Sequence, residues 1–370
     1  MIPPERLGPA PERAGECVAI RDGRPLARAA FALAVGAAAL RLAGRARVVL
    51  ACRDAWNFAV ALLGALTAGA EAVLPANDRP ATLAGLDGLV VDDDFHAGSA
   101  PWTAPPPPQA RLLFYTSGST GAPKPAVRTL AQMAAEIAAL ERLWGAVAPG
   151  AATVATVPLQ HAYGLVFAVL WPLTAGRPFH AVRHELWENL LDALPAGAVV
   201  VTSPAHLSRM GGLPALAPER RPRLVLSAGA PLPEPAAAEA SRVFGVAVTE
   251  IYGSTETGAI ATRPRAACAP AWTPLPGYRV SAGGDGLAHL DSEAATADLA
   301  DRVAMAGGGG FHLLGRADRI AKIEGKRVAL DEIETALAAC AEVSAAATVV
   351  LDAPEPVLAA LVVPSATGWD

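Results

Sequence analysis

Lysine is almost missing from this chain: of thirty basic side chains, only Lys124, Lys322 and Lys326 are lysine and the other twenty-seven are arginine. Cysteine is sparse too. Cys17, Cys52, Cys268 and Cys340 show no C-x-x-C spacing and no neighbouring histidine pair, which argues against a zinc site and a disulfide framework; all four read as buried small hydrophobes. No apolar run is long enough to cross a membrane. The most apolar stretch, Ala29 to Leu40, lies between Arg28 and Arg41, falls well short of the ~20 residues a span requires, and reads as a buried, Ala-rich helix. Charge of one sign is lacking as well, since a net charge of -5 with 18% charged residues offers no electrostatic reason to expect nucleic acid as a partner. The start, Met1 to Arg6, has no basic segment, apolar middle or small-residue cleavage site, so a cytoplasmic location is expected.

What is present is a globular composition, 52% apolar over 370 residues. That length exceeds what one hydrophobic core usually carries, which predicts at least two domains or subdomains. From Arg47 onward, short β-branched runs alternate with helical patterns: Val48 to Ala51, then Ala55 to Thr67, then Ala72 to Leu74. The alternation recurs at Ala152 to Pro158 before an apolar helix through Leu173, at Ala198 to Thr202 before Pro204 to Met210, and at Leu224 to Ser227 before Glu234 to Phe244. This is the pattern of doubly wound parallel sheets, in which ligands sit beyond the carboxyl ends of the strands. The proline-rich Ala104 to Pro108 reads as a stiff connector and Gly307 to Gly310 as a turn between strands. After Gly315 the expected order is a hairpin over Arg319 to Leu330, a helix over Asp331 to Ala341, and strands at Ala347 to Leu351 and Val357 to Val363.

An Ala- and Arg-rich coding habit would scatter the three lysines at random, yet each falls inside a motif. The strand Arg111 to Phe114 runs into Tyr115, Thr116, Ser117, Gly118, Ser119, Thr120, Gly121, Ala122, Pro123 and Lys124. Glycines let backbone N–H groups close around an anion, hydroxyls add neutral donors, and the terminal ammonium offsets phosphate charge. It is not a Walker A loop, because prolines flank the lysine.

This loop resembles the signature of the adenylate-forming (AMP-binding) superfamily of acyl-CoA synthetases, aryl-acid ligases, peptide-synthetase adenylation domains and beetle luciferases. Three further motifs follow in the superfamily's order, so the resemblance runs from about Ala110 to the end of the chain. The shorter region before it resembles compact bacterial ligases that load acyl or aryl acids onto carrier proteins. The second motif is Pro158-Leu159-Gln160-His161-Ala162-Tyr163-Gly164, similar to the segment lining the acyl pocket. By resemblance His161 stands beside the substrate carboxylate, although a lone histidine also suits a core position. No aspartate occurs there to pair with an α-ammonium, which favours an acid without an α-amine.

The third constellation is Ser227 to Pro231 with Thr249 to Glu256. The resemblance implies that Ala228 and Gly229 wall the adenine and acyl group, that Tyr252 with Gly253 packs on adenine, that Thr255 contacts phosphate, and that Glu256 holds Mg2+. A hard divalent cation does require carboxylate oxygen; the bland alternative for Glu256 is a solvated loop charge. Glu250 reads as a solvated charge at a strand edge. The fourth motif is Gly315 to Val328, in which the resemblance makes Arg316 a ribose contact, Asp318 the hinge, and Gly325 and Lys326 the loop near the thiol acceptor; read alone it is a charged hairpin. A ribose-binding aspartate usually precedes it in a Thr-Gly-Asp triplet, and this chain departs from that. Asp301, with thirteen residues between it and Gly315, is preferred over Asp298.

No lysine follows Lys326, whereas family members carry a final Gly-Lys lysine. Two readings follow: a chain cut short, or a nucleotide- or acyl-adenylate-binding protein without efficient turnover. The fold class expected by resemblance is α/β, with a large N-terminal domain of doubly wound sheets plus a small barrel-like part over 1–317, then a partial small α+β C-terminal lid over 318–370. The expected activity is ATP- and Mg2+-dependent formation of an acyl-AMP from an aryl or fatty acid, with transfer to the thiol of CoA or of the phosphopantetheine of an acyl carrier protein. Tyr163, Phe167 and Trp171 at helical spacing make a mild case for an aryl acid, and the same stripe suits ordinary core.

Overall fold

The computed structural model describes residues 7–115, 125–265, 270–323, 326–351, 357–365 and 368. Packing divides the chain into two compact units, Met1–Tyr278 with Ser292–Ala295, and Arg279–Asp291 with Thr296–Asp370. The expected boundary at Asp318 therefore lies inside the second unit.

The first unit holds two sheets. The larger runs in the order Thr273–Pro274, Gly258–Pro264, Val248–Ser254, Leu224–Ser227, Val199–Thr202, Thr153–Ala155, Phe179–His180, Cys17–Arg21, Arg24–Ala27. From Val248–Ser254 to Cys17–Arg21 all neighbours are parallel. Val199–Thr202 and Leu224–Ser227 are buried at every position, which is why they read as unbroken apolar runs with no alternation. The smaller sheet runs Leu89–Val91, Arg47–Leu50, Glu71–Leu74, Arg111–Tyr115, Pro125–Thr129. Only its last pair is antiparallel, with Tyr115 opposite Pro125.

Helices cover these sheets. Arg28–Leu42 is buried along one face and turns Leu33 and Leu40, 42% and 70% exposed, to solvent; the expected buried helix is thus one-sided. Ala55–Thr67 starts at an Asp54 cap that accepts from Asn57 N, which satisfies one of the free N–H groups of the first turn. Gly64 lets it approach its neighbour, since a Cβ there would meet Ala38 Cβ at 2.5 Å. Leu130–Trp144 opens with a capping box between Thr129 and Gln132. Its buried stripe, Leu130, Met133, Glu136, Ile137, Leu140, Trp144, follows the three-and-four spacing of an amphipathic helix with one acid in it. The helical run from Ala162 to Ala175 is wound as π over Leu165–Leu170.

In the second unit, the small barrel-like part takes the form of a four-stranded antiparallel meander: Arg279–Ala282, Leu287–Asp291, Thr296–Met305, Phe311–Arg316. Gly307–Gly309 makes the last turn. The hairpin Ile320–Ile323 with Lys326–Ala329, the helix Leu330–Ala338 and the hairpin Val343–Leu351 with Val357–Pro364 follow in the expected order. Among the described residues no helix is long and apolar enough to cross a membrane. The cysteines need correction: Cys52 is buried, but Cys17, at the start of its strand, is half-buried and Cys340, just past the helix Leu330–Ala338, is exposed; Cys268 lies outside the described residues.

Candidate active site

Thr153–Ala155, Val199–Thr202, Leu224–Ser227 and Val248–Ser254 are adjacent and parallel, so the loops that follow them gather along one edge. There they enclose a cavity of about 1060 Å³. Of the residues expected at the site, His161, Ala228, Gly229, Gly253 and Thr255 all line it. Tyr252 and Glu256 do not. Tyr252 sits against Trp272 with ring centroids 5.6 Å apart, and Glu256 is exposed on the turn next to Thr255. Thr116 to Gly121 and Lys124 lie outside the described residues.

Local backbone chemistry sets these positions. His161 is the residue before the helix that starts at Ala162; its carbonyl accepts from Leu165 N at 2.9 Å, and its Nε2 lies 3.4 Å from the Ala76 carbonyl. The turn after Val248–Ser254 is closed by hydroxyls, with Ser254 Oγ and Thr257 Oγ1 at 3.1 Å and Ser254 N donating to Thr257 Oγ1 at 3.3 Å. Ala228 is buried, and Gly229 has φ +98 with nothing within 4 Å of a built Cβ. A side chain at 229 would be strained and would enter open space, so this wall is bare backbone.

The cavity has two characters. Tyr163 and Phe167, ring centroids 4.8 Å apart, line it with Phe114. Trp171, the third aromatic of the stripe, is instead core, 1% exposed and bonded through Nε1 to Glu141. The polar wall includes Arg183, paired with Glu185, and also Arg209 and His206, whose Nε2 lies 3.0 Å from the Glu185 carbonyl. The residues suit a magnesium ion carried in by phosphates. Glu256 offers one exposed carboxylate with no partner among the described residues, and Mg2+ takes one or two carboxylates while keeping water and phosphate oxygens. Among the described residues no group of three His, Cys, Asp or Glu side chains could hold a metal by itself.

Glu250 is corrected by the structure. Its strand is not an edge, being flanked by Leu224–Ser227 and Gly258–Pro264. The side chain is 3% exposed, pairs with Arg263, its cross-strand neighbour, at 2.7 Å, and accepts from Leu232 N at 3.1 Å. A second buried acid, Glu136, does line the cavity; it pairs with Arg128 and escaped the sequence reading. Its one signal was an acid on the apolar stripe of a helix, a position a charge occupies only with a partner.

In the second unit, Asp301 lies opposite Arg316 on adjacent strands, with Arg316 Nη1 at 3.9 Å from Asp301 Oδ2. Arg316 also grips Asp318 with two bonds of 2.8 and 2.5 Å, and this guanidinium holds the Asp318 carboxyl below the usual carboxylate range. Asp298 is exposed and bonded to His289 Nδ1 at 2.7 Å. It is Asp301, then, that stands beside Arg316. Gly325 and the Lys326 side chain lie outside what the structure describes.

With this geometry in place, comparison with known proteins is informative. A family model described as AMP-binding enzyme matches residues 83–282. A 4-coumarate–CoA ligase from Rhodobacter capsulatus is 32% identical over 232 residues, 62% of this chain and 58% of that protein. The mitochondrial malonate–CoA ligase of Mus musculus is 30% identical over 191 residues, 46% of this chain and 32% of that protein. The chain thus matches little more than half the length of the first relative. The crystal structure of ATP-bound MatB from Rhodopseudomonas palustris superposes with a TM-score of 0.80 over 98% of this chain and 88% of that one, at 20% identity, a likeness of fold. Matched by its model over more than half of its residues, the chain belongs to the AMP-binding enzyme family.

Proposed function

We propose that this protein is an ATP- and Mg2+-dependent acid–thiol ligase acting in the cytoplasm. The observation that carries the reading is the convergence of loops from four separate strand ends on one cavity, bringing His161, Ala228, Gly229 and Thr255 together. A carboxylate oxygen of the acid attacks the α-phosphorus of ATP, the bond to pyrophosphate breaks, and an acyl-AMP forms. The acid is itself the nucleophile, so the protein's work is alignment and charge neutralisation. His161 orients the carboxylate, the bare wall at Ala228 and Gly229 admits adenine and acyl group, Gly253 bounds the adenine side with Tyr252 next to it in the chain, and Thr255 donates to phosphate. Glu256 would hold a magnesium ion, which would supply charge neutralisation on the phosphates. Lys124 and the Thr116 to Gly121 loop serve the phosphates, while Asp301 and Arg316 take the ribose hydroxyls. A thiolate then attacks the acyl carbon and AMP leaves.

An aryl acid is the substrate class we favour over a fatty acid. The paired rings of Tyr163 and Phe167 on the cavity wall support this, as does the named activity of the 4-coumarate–CoA ligase relative. Relatives named as CoA ligases likewise favour CoA over a carrier-protein phosphopantetheine as acceptor. ATP/pyrophosphate exchange with and without Mg2+, across aryl acids, fatty acids, malonate and sulfoacetate, tests the proposal. Magnesium-dependent exchange with an aryl acid is expected. Exchange with malonate alone would overturn the substrate class, and nucleotide binding without exchange from any acid would overturn the ligase reading.

A further inference from the structure

Glu136, on the helix Leu130–Trp144, and Arg128, on the strand before it, are 1% exposed in both cases. Arg128 Nη2 lies 2.7 Å from Glu136 Oε2. The other carboxylate oxygen is also committed, since Oε1 accepts from Ala259 N at 2.9 Å. Between them sits Gly258, with φ +74, where a Cβ would fall 2.2 Å from Glu136 Oε2 and 2.7 Å from Arg128 Nη2. The chain leaving the Thr255–Glu256 turn is therefore pressed directly onto the ion pair. Glu136, Gly258 and Ala259 all line the cavity.

Stability does not account for this arrangement. Arg128 Nε and Nη1 are buried with no acceptor among the described residues, and such donors weaken a fold when left unmet. Buried ion pairs are often replaced by apolar residues without loss of stability. Apolar residues cannot, however, bond the Ala259 amide. We infer that Arg128 and Glu136 are positioning residues: the pair fixes the Thr255–Glu256 turn against the strand Pro125–Thr129, which the chain enters directly from the Tyr115 to Lys124 motif. Its consequence for catalysis rests on the ligase reading above; its mechanical part does not.

The test is the double variant R128M/E136M, which keeps volume and removes both charges, followed by hydrogen exchange of the whole chain and by ATP/pyrophosphate exchange. Amides over 254–259 should lose protection by about tenfold or more while Val199–Thr202 is unchanged. The kcat for exchange should fall by roughly tenfold to a hundredfold, with KM for the acid within about threefold, as misplacement of the transition-state contacts requires. Unchanged protection at 254–259 in the folded variant would overturn the inference, and so would lost protection with unchanged kcat. Should the double variant not fold, hydrogen exchange of the wild type takes its place; the Ala259 amide must be protected at least about tenfold over an unfolded reference or the inference falls. A wild-type chain without exchange activity would remove the ligase reading, and the amide protection would still decide whether the pair positions the turn.

Discussion

Acid should weaken this fold through His180. Burial pushes its imidazole down to about 4 from the ordinary 6.5, and the neighbouring His184, whose Nε2 is 3.4 Å from His180 Nδ1, adds to the effect. Nε2 of His180 is buried without a partner among the described residues, so a proton there has nothing to bond. An unfolded chain takes that proton near pH 6.5, the folded one only near pH 4. The contribution is whole above the unfolded value and is lost as pH falls through the folded one. At 1.36 kcal/mol per pH unit, lowering the pH to about 5 costs at most ~2 kcal/mol. Replacing His180 with Gln removes this titration and leaves the rest in place. Urea unfolding of both proteins at about pH 7.5 and about pH 5 should show the wild type losing ~2 kcal/mol more than the variant between the two. Equal losses in the two proteins would refute the reasoning.

Glu256→Gln should slow ATP/pyrophosphate exchange by about a hundredfold or more while changing acid affinity by less than about threefold; equal losses in rate and affinity would count against its role. Glu250→Ala leaves the half-buried Arg263 and the Leu232 amide without their acceptor, and urea unfolding should register a loss of about 1–3 kcal/mol. Gly258→Ala combines a left-handed backbone with a contact at 2.2 Å; strain of about 1–2 kcal/mol and overpacking of about 1–3 kcal/mol should together lower its unfolding free energy by roughly 2–5 kcal/mol. A loss below about 1 kcal/mol would mean that Glu136 can move aside freely.

Much of the fold was legible because its signals are local. Leu224–Ser227 and Glu234–Phe244 appear where the short apolar run and the helical period placed them, since a strand buried on both faces is predominantly apolar. The rule that ligands gather at strand ends pointed to the loops that line the cavity, and the family resemblance singled out His161, Gly229 and Thr255 within them. What failed was pairwise and distant. Glu250 looked like an edge charge because nothing nearby announces Arg263 thirteen residues on. Glu136 meets Ala259 across 123 residues, and no period or propensity carries such a pairing. The aromatic stripe was half right: Tyr163 and Phe167 reach the cavity, whereas Trp171 turns to Glu141 in the interior.

The gathering of loops from separate strands has a consequence for how such a protein can change. Each wall of the cavity belongs to a different strand, and Val199–Thr202 and Leu224–Ser227 are buried along their whole length. A residue altered in one loop leaves the sheet beneath it as it was, because effects at well-separated sites add independently. The pocket can therefore be re-cut one wall at a time toward a different acid. The turn at Ser254–Thr257 is held more firmly than the other walls, since its own hydroxyls close it and Glu136 accepts from Ala259 N just beyond it. Variation in substrate should accordingly accumulate at the Tyr163–Phe167 and Ser203 walls and be scarce at the turn.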